Sequence, residues 1–520
     1  MRVIHVARHA RTVLAAVAAA LALASCSAGE ATEPVSADPT ATPATGGTLH
    51  IAGEREATAL NPYTAIDNNS AHVFAQILET LFRTDQDGQV VPWLVESSEA
   101  NADFTTWTFR LREGVTFSDG TPMTADDVVY SIETVRQSEA WVSMFAEIER
   151  VEAASPSTVV VTTSVPSPAL EASLSLPFAP VVPADLAGMT PEEFGQHPIG
   201  TGPFRLESWT SGQRITLVRN ESYWVPGRPY LDSVVFEAVP SDSNRTQQLR
   251  GGDLDIIATP PRPQLEALDE APATVVGEFA MAFPNYLLLN QESDAFGDPR
   301  IREAVDLAIH RTNILEAAGG GVGELGGSFL APALNFHDES LEQVERDPER
   351  AAELLDEAVA DGAERHFTLS VAAGGTYANL TAQIIQENLE DAGFDVTIEQ
   401  LDGATVLAEV GAGRYDATLF TMTSDIIDPL EVIGYYVDLN ALWTGGETAE
   451  VATLLEEAKQ AVDQQTRGDL YARIQQIVYD DRSLVVLGYQ PWIWAWRADV
   501  VGYEVPMTGV PWLADTGFRE

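Results

Sequence analysis

Reactive side chains are scarce in this chain of 520 residues. It carries one cysteine, Cys26, and six histidines after it: His50, His72, His197, His310, His337 and His366. The six lie far apart in sequence and none falls in an H-E-x-x-H pattern, so their spacing describes no zinc site. There is no Gly-x-Ser-x-Gly elbow to present a nucleophilic serine. Carboxylates pose the opposite difficulty, because 78 Asp and Glu make any choice of a general acid and base arbitrary. Gly321-x-Gly323-x-x-Gly326 matches the dinucleotide fingerprint in letters only. That fingerprint needs a strand before it and a helix opening on its last glycines, whereas here a helical pattern precedes and a loop toward Pro332 follows. A flexible turn is expected there. The chain is expected to be no enzyme and to use no metal and no cofactor.

The cysteine has a context of its own. Arg2, Arg8 and Arg11 precede an apolar run from Val13 to Ala24, which is the order of a secretory signal peptide. The run is too short and too rich in small residues for a spanning helix. Leu23-Ala24-Ser25-Cys26 resembles the lipobox of bacterial lipoproteins, which implies that Cys26 is diacylated through sulfur and becomes the mature N-terminus; a plain secretory signal is the alternative. Residues 26–46, rich in Ala, Thr, Pro, Ser and Glu without apolar periodicity, read as a disordered tether. No later apolar segment is long enough to cross a bilayer, so the body is expected outside the cytoplasmic membrane, lipid-anchored to its outer face or in the periplasm.

Charge narrows the partners. With 29 Lys and Arg against 78 Asp and Glu, the formal net charge is −49, and Lys459 is the only lysine. Such a surface repels phosphate backbones and anionic lipid heads, which disfavours nucleic acid and electrostatic membrane docking. The acidity serves solubility, including at high salt, or it concentrates cationic ligands.

A chain of this length forms two or more lobes. Folded structure is expected from Gly46-Gly47-Thr48-Leu49-His50-Ile51, a glycine turn into a strand. Asp67-Asn68-Asn69-Ser70 can cap a helix with Val73, Phe74, Ile77, Leu78 and Leu81 on one face. Trp107, Phe109 and Leu111 alternate with Thr108 and Arg110 as in a half-buried strand, and Thr124 with Asp127 caps a further helix. After a strand-rich stretch over about 205–240, a second set of units begins near Tyr286. Asp298-Pro299 and Asp347-Pro348 are helix starts, Gly362 is a stop, and a helix from about Tyr377 to Ala392 ends at Gly393 before a strand holding Phe394, Val396 and Ile398. This alternation predicts a second α/β lobe. Trp492, Trp494 and Trp496 share one side of a strand, most of them as core, with one or two free to line a ligand cleft.

Several strings, in order along the chain, resemble the family 5 extracellular solute-binding proteins, the peptide- and nickel-binding components of ABC importers. They are Leu60-Asn61-Pro62, residues 103–120 from Asp103 through Trp107 to Gly120, Thr124-Ala125-Asp126-Asp127-Val128, Pro198-Ile199-Gly200-Thr201-Gly202-Pro203-Phe204, Arg219-Asn220-Glu221-Ser222-Tyr223-Trp224, Gly252-Asp253-Leu254-Asp255-Ile256 and Asp298-Pro299-Arg300-Ile301-Arg302-Glu303-Ala304. The resemblance implies an α/β, two-lobed periplasmic-binding-protein fold of type II-like topology with mixed sheets, a hinge and an extra subdomain. Lobe I is expected to comprise 47–280 plus 487–520, with the subdomain at about 80–190, and lobe II 281–486. The implied partners are a peptide or other small solute, an ABC permease with its ATPase subunits, and the membrane through the lipid; the protein is expected to be a monomer. Gly200, Gly202 and Pro203 read as scaffold.

Thr423-Ser424-Asp425-Ile426-Ile427-Asp428-Pro429 is similar to the segment of peptide-binding members in which an aspartate pairs with the ligand α-ammonium, and Asp425 occupies that position. A helix or turn cap is its alternative role. Met422 stands where peptide binders commonly carry tryptophan, and Trp443, Tyr377 and Asn69 are the other candidate ligand contacts. His310 replaces the aspartate usual in the stretch Ala308-Ile309-His310-Arg311. The resemblance supplies no basic residue for a peptide carboxylate. The expected ligand is a peptide or peptide-like cationic solute. The alternatives are a nickel chelate, a sugar or another small organic solute, and, from another class, an exported lipoprotein hydrolase.

Overall fold

The computed structural model describes residues 41–520 apart from 66, 139–140 and 444–447, so the leader and Cys26 lie outside the described residues. Ten strands form one sheet: β1 (Thr48–Gly53), β2 (Phe204–Thr210), β3 (Arg214–Arg219), β4 (Ser233–Ala238), β5 (Ile256–Ala258), β6 (Thr274–Leu289), β7 (His366–Ala372), β8 (Asp395–Leu401), β9 (Ala417–Thr421) and β10 (Leu484–Arg497). Their spatial order is β8-β7-β9-β6-β10-β5-β1-β4-β3-β2. Parallel pairs (β7 with β8 and β9, β1 with β4 and β5) lie on either side of the antiparallel centre β9-β6-β10-β5. β6 and β10 pair from Thr274 opposite Arg497 to Leu288 opposite Leu484, with register shifts between Phe279 and Phe283 and between Asn285 and Tyr286. These two long strands tie the two halves of the sheet together, giving a two-lobed α/β molecule with a mixed sheet. β10 is buried along nearly its whole length, as a strand covered on both faces must be.

A separate antiparallel sheet packs Val95–Ala100, Thr106–Leu111, Thr158–Thr163 and Ile148–Ser155. There Trp107, Phe109 and Leu111 point inward, as their alternation predicts. The tether ends earlier than composition predicts, because Pro43 and Ala44 pair with Arg519 and Phe518.

Helix α1 (Asn68–Phe74) is capped by Asp67, whose Oδ1 accepts from Ser70 N at 2.9 Å. It is shorter than the apolar face through Leu81 predicts. The carbonyls of Gln76 and Ile77 are taken instead by the amides of Phe204 (3.0 Å) and Gly202 (2.9 Å). Only glycine permits that approach: a Cβ on Gly200 would lie 2.0 Å from the Ile77 carbonyl oxygen, and one on Gly202 would lie 2.7 Å away. Thr124 and Asp127 form a capping box on α2 (Ala125–Val135), and Asp298 and Asp347 cap α3 (Pro299–Ala308) and α4 (Pro348–Ala360). His310 takes over a capping role, its Nδ1 accepting from Asn313 N at 3.2 Å. The chain continues through α5 (Thr376–Asp391), α6 (Gly403–Gly411), α7 (Leu430–Trp443), α8 (Thr448–Gln460) and α9 (Gln464–Asp481).

The turn at Gly321–Gly326 follows a helix but is not the flexible one expected. Glu324 and Tyr489 exchange backbone hydrogen bonds of 3.0 and 2.8 Å, and a Cβ on Gly323 would meet the Tyr489 carbonyl oxygen at 2.4 Å. The glycines let this loop dock on β10.

Candidate functional site

β9 ends at Thr421, and residues 422–429 lead into α7. Ile426 and Ile427 are buried and draw this loop into the core, taking Asp425 and Asp428 with it. Asp428 is fully engaged. Its Oδ2 accepts from Arg467 Nη2 at 2.5 Å, and its Oδ1 accepts from Tyr471 OH at 2.9 Å and from Leu430 N at 3.1 Å at the start of α7.

Three residues earlier the outcome is different. Asp425 is 8% exposed and its Oδ1 has no hydrogen-bond partner. Glu431, in the first turn of α7, turns Oε2 toward Ser424 Oγ (2.9 Å) and Asp425 N (2.7 Å), and its Oε1 is also without a partner. Among the described residues no cation pairs with either carboxylate. Burial first, and then the charge of Glu431, hold the Asp425 carboxyl well above the usual carboxylate range. Burial pushes Glu431 up to about 7. The Tyr435 hydroxyl, one turn further along α7, is raised by burial and by the charges of Glu431 and Asp425. Two buried carboxyl groups with no cation must share a proton or receive a positive group from outside.

Glu431 forms part of the wall of a cavity of about 260 Å³ between the segment carrying Trp141 and Met144 and helices α7 and α8, with Tyr435, Leu455 and Lys459 also on its walls. Asp425 is not on this wall. Lys459 Nζ is 2.9 Å from Glu456 Oε1 and 3.9 Å from Glu147 Oε1, so the chain's only lysine bridges the two sides of that seam. A second cavity, of about 230 Å³, opens beside the ends of β7 and β9 and is lined by Asn285, Tyr377, Leu407, Phe420 and Thr421 among others.

The residues proposed from sequence are therefore distributed. Met422 shares the loop with Asp425 and packs into the core at 5% exposure. Tyr377 lines the second cavity, its hydroxyl pushed up to about 12 by burial. Asn69 borders a small recess with His72 and Trp494. The Trp443 side chain and Cys26 lie outside the described residues. Of the three tryptophans on β10, Trp492 donates its Nε1 to the Met507 carbonyl at 3.2 Å, Trp494 packs on His72 and Tyr503, and Trp496 packs on Phe279. Glu431 was not singled out by sequence, where it is one acidic residue among many in a helical stretch.

The sequence pattern of the bacterial extracellular solute-binding proteins, family 5, matches residues 89–441. The chain belongs to that family. This family 5 protein is 27% identical over 452 residues to di/tripeptide-binding protein 2 of Pseudomonas aeruginosa, covering 81% of this chain and 85% of that one. It is 28% identical over 461 residues to the probable D,D-dipeptide-binding periplasmic protein DdpA of Escherichia coli, covering 85% and 89%. Among solved structures, the periplasmic binding protein DppA of Helicobacter pylori, in complex with the peptide STSA, superposes with a TM-score of 0.81 at 25% identity, over 92% of this chain and 99% of that one. Its relatives are solute-binding proteins, so the family 5 chain has a solute-binding, non-enzymatic role in ABC transport, outside the cytoplasm.

Proposed function

We propose that this family 5 protein captures peptides or peptide-like solutes with a positively charged amino end, encloses them between its lobes and hands them to an ABC permease. The observation that carries this reading is the contrast within one loop and the helix turn that follows it: Asp428 is saturated by Arg467 and Tyr471, while Asp425 and Glu431 are buried with one free oxygen each and, among the described residues, no cation. A ligand ammonium supplies the missing charge, and its charge-assisted hydrogen bonds form where water is excluded. The relatives that bind dipeptides and tripeptides support the same reading. Closure then follows from differential interaction, because only the closed cleft offers both lobes to the ligand.

The proposed lobe boundaries, 47–280 with 487–520 and 281–486, fall inside β6 and β10, where two strands can bend together as a hinge. In this reading Cys26 carries the lipid that holds the monomeric protein to the membrane near its permease.

Calorimetry tests the anchor. Asp425→Asn should weaken binding of an unmodified peptide by about a hundredfold, and N-acetylation of the peptide should do the same to the wild type. The two losses should not add, since both delete one contact. Additive losses, or full affinity in Asp425→Asn, would return Asp425 to a structural role.

A further inference from the structure

One ammonium does not balance two buried carboxyl groups. Asp425 and Glu431 are 8% and 4% exposed, each keeps an oxygen without a partner, and Glu431 Oε2 lies 2.7 Å from Asp425 N, so the two groups are neighbours. Burial raises both, and the charge of Glu431 raises Asp425 further. A single ammonium placed between them leaves either a proton or an unpaired negative charge in the core. An unpaired buried charge is costly, so a second cationic group completes the site.

The surroundings say where that second charge would enter. Glu431 is on the wall of the cavity of about 260 Å³ and Asp425 is not. Among the described residues the one base on this wall is Lys459, which is already held by Glu456 at 2.9 Å and approached by Glu147 at 3.9 Å. The local balance of charge therefore favours a cation over an anion. Trp141 and Tyr435 add aromatic rings, whose faces attract cations, and Met144, Leu430 and Leu455 add apolar surface along which an aliphatic stem can lie. The volume is many times the roughly 15 Å³ that one water needs. On the lobe boundaries proposed above, Trp141 and Met144 come from lobe I and Glu431 from lobe II, so a side chain seated here is enclosed only when the lobes meet.

We infer that Glu431 and this cavity select ligands with a second positive charge, the basic side chain of the same residue whose ammonium Asp425 holds. The inference rests on the peptide reading above and narrows it to peptides that begin with lysine, ornithine or arginine. One residue can meet both carboxylates, because its two cationic groups are joined by an aliphatic chain of only a few bonds. The α-ammonium stays at the Asp425 loop, the stem lies on the apolar wall, and the cationic head donates to Glu431 Oε1.

The test is calorimetry of the full chain at about pH 7.5, above the value of about 7 to which burial pushes Glu431, with Lys-Ala-Ala, norleucyl-Ala-Ala, Ala-Lys-Ala, N-acetyl-Lys-Ala-Ala and cadaverine. Norleucine keeps the stem of lysine and lacks its amine. The wild type should bind Lys-Ala-Ala tenfold or more tightly than norleucyl-Ala-Ala, and Glu431→Gln should bind the two equally. Equal wild-type affinity for the lysyl and norleucyl peptides would overturn the inference, as would a preference that survives in Glu431→Gln, or Ala-Lys-Ala binding as tightly as Lys-Ala-Ala. If the lysyl and norleucyl peptides bind equally and N-acetylation is costly, the second charge falls and the Asp425 anchor stands. Cadaverine bound as tightly as Lys-Ala-Ala would keep the two-charge site and overturn the peptide reading. If nothing in the set binds the wild type, both fall. Should Glu431→Gln fail to fold, the wild-type comparison of lysyl with norleucyl peptide still decides.

Discussion

Asp428 and Asp425 lie three residues apart in one buried loop and have opposite electrostatic fates. Asp428 sits among an arginine, a tyrosine hydroxyl and a backbone amide; Asp425 sits beside another carboxylate. Glu79 shows how this fold treats a buried carboxylate meant only for support: Trp93 Nε1 and Tyr223 OH donate to one oxygen, and Thr201 Oγ1 and Trp224 Nε1 to the other, all within 2.8–2.9 Å. A fold that supplies four donors to Glu79 and a cation to Asp428 leaves Asp425 and Glu431 with one free oxygen each. On the proposed reading, completeness of pairing, more than burial, separates scaffold from binding site.

The contrast can be broken most forcefully from the paired side. Arg467→Met leaves Asp428 buried without its cation and should cost about 3–5 kcal/mol of stability in urea titration. A loss below about 1 kcal/mol would mean that Asp428 is no better compensated than Asp425. A smaller effect is expected from pH. Glu431 titrates at about 7 in the folded protein against an ordinary value of 4.5, so between those values the folded state holds the extra proton. Ligand-free stability should therefore fall as pH rises from about 4.5 to about 7, with a slope approaching about 1.4 kcal/mol per pH unit. Glu431→Gln should flatten that window, and an unchanged slope would place the proton elsewhere. Peptide affinity should rise over the same window, because the ammonium replaces the proton. The smallest effect sharpens the comparison by its sign: at pH 8, Asp425→Asn removes a buried carboxyl that stays in place only by keeping a proton or carrying an unpaired charge, and should raise unliganded stability by about 1 kcal/mol. A clear loss of stability would identify Asp425 as scaffold.

What was legible in the sequence was local. Asp67, Thr124, Asp298 and Asp347 cap helices where their spacing to the following residues says they should, because a cap is settled within one turn of chain. The two-lobed fold followed from motifs spread along the chain. Long-range consequences were not legible. α1 ends at Phe74, and just beyond it residues 202–204 take the carbonyls of Gln76 and Ile77 that a longer helix would use, while the glycine turn near 323 is pinned by Tyr489, more than 150 positions away. Asp425 could be marked from its motif, but its partner Glu431 belongs to the next helix and gains meaning only when both oxygens are found bare. The cavity on which Glu431 lies is completed by Trp141 and Met144, hundreds of positions earlier in the chain. Spacing in sequence carries no trace of that approach.

The solitary lysine has a use that its modest ion pairs do not suggest. Lys459 is the chain's only side-chain amine, 15% exposed and seated on the seam between α8 and the segment ending at Glu147. An amine-reactive reagent therefore has one side-chain target, shielded while the seam is shut. Its rate of modification, followed by mass spectrometry of the peptide that carries Lys459, becomes a clock for how often the two sides part. A ligand that holds them together should slow that clock with no engineered label at all.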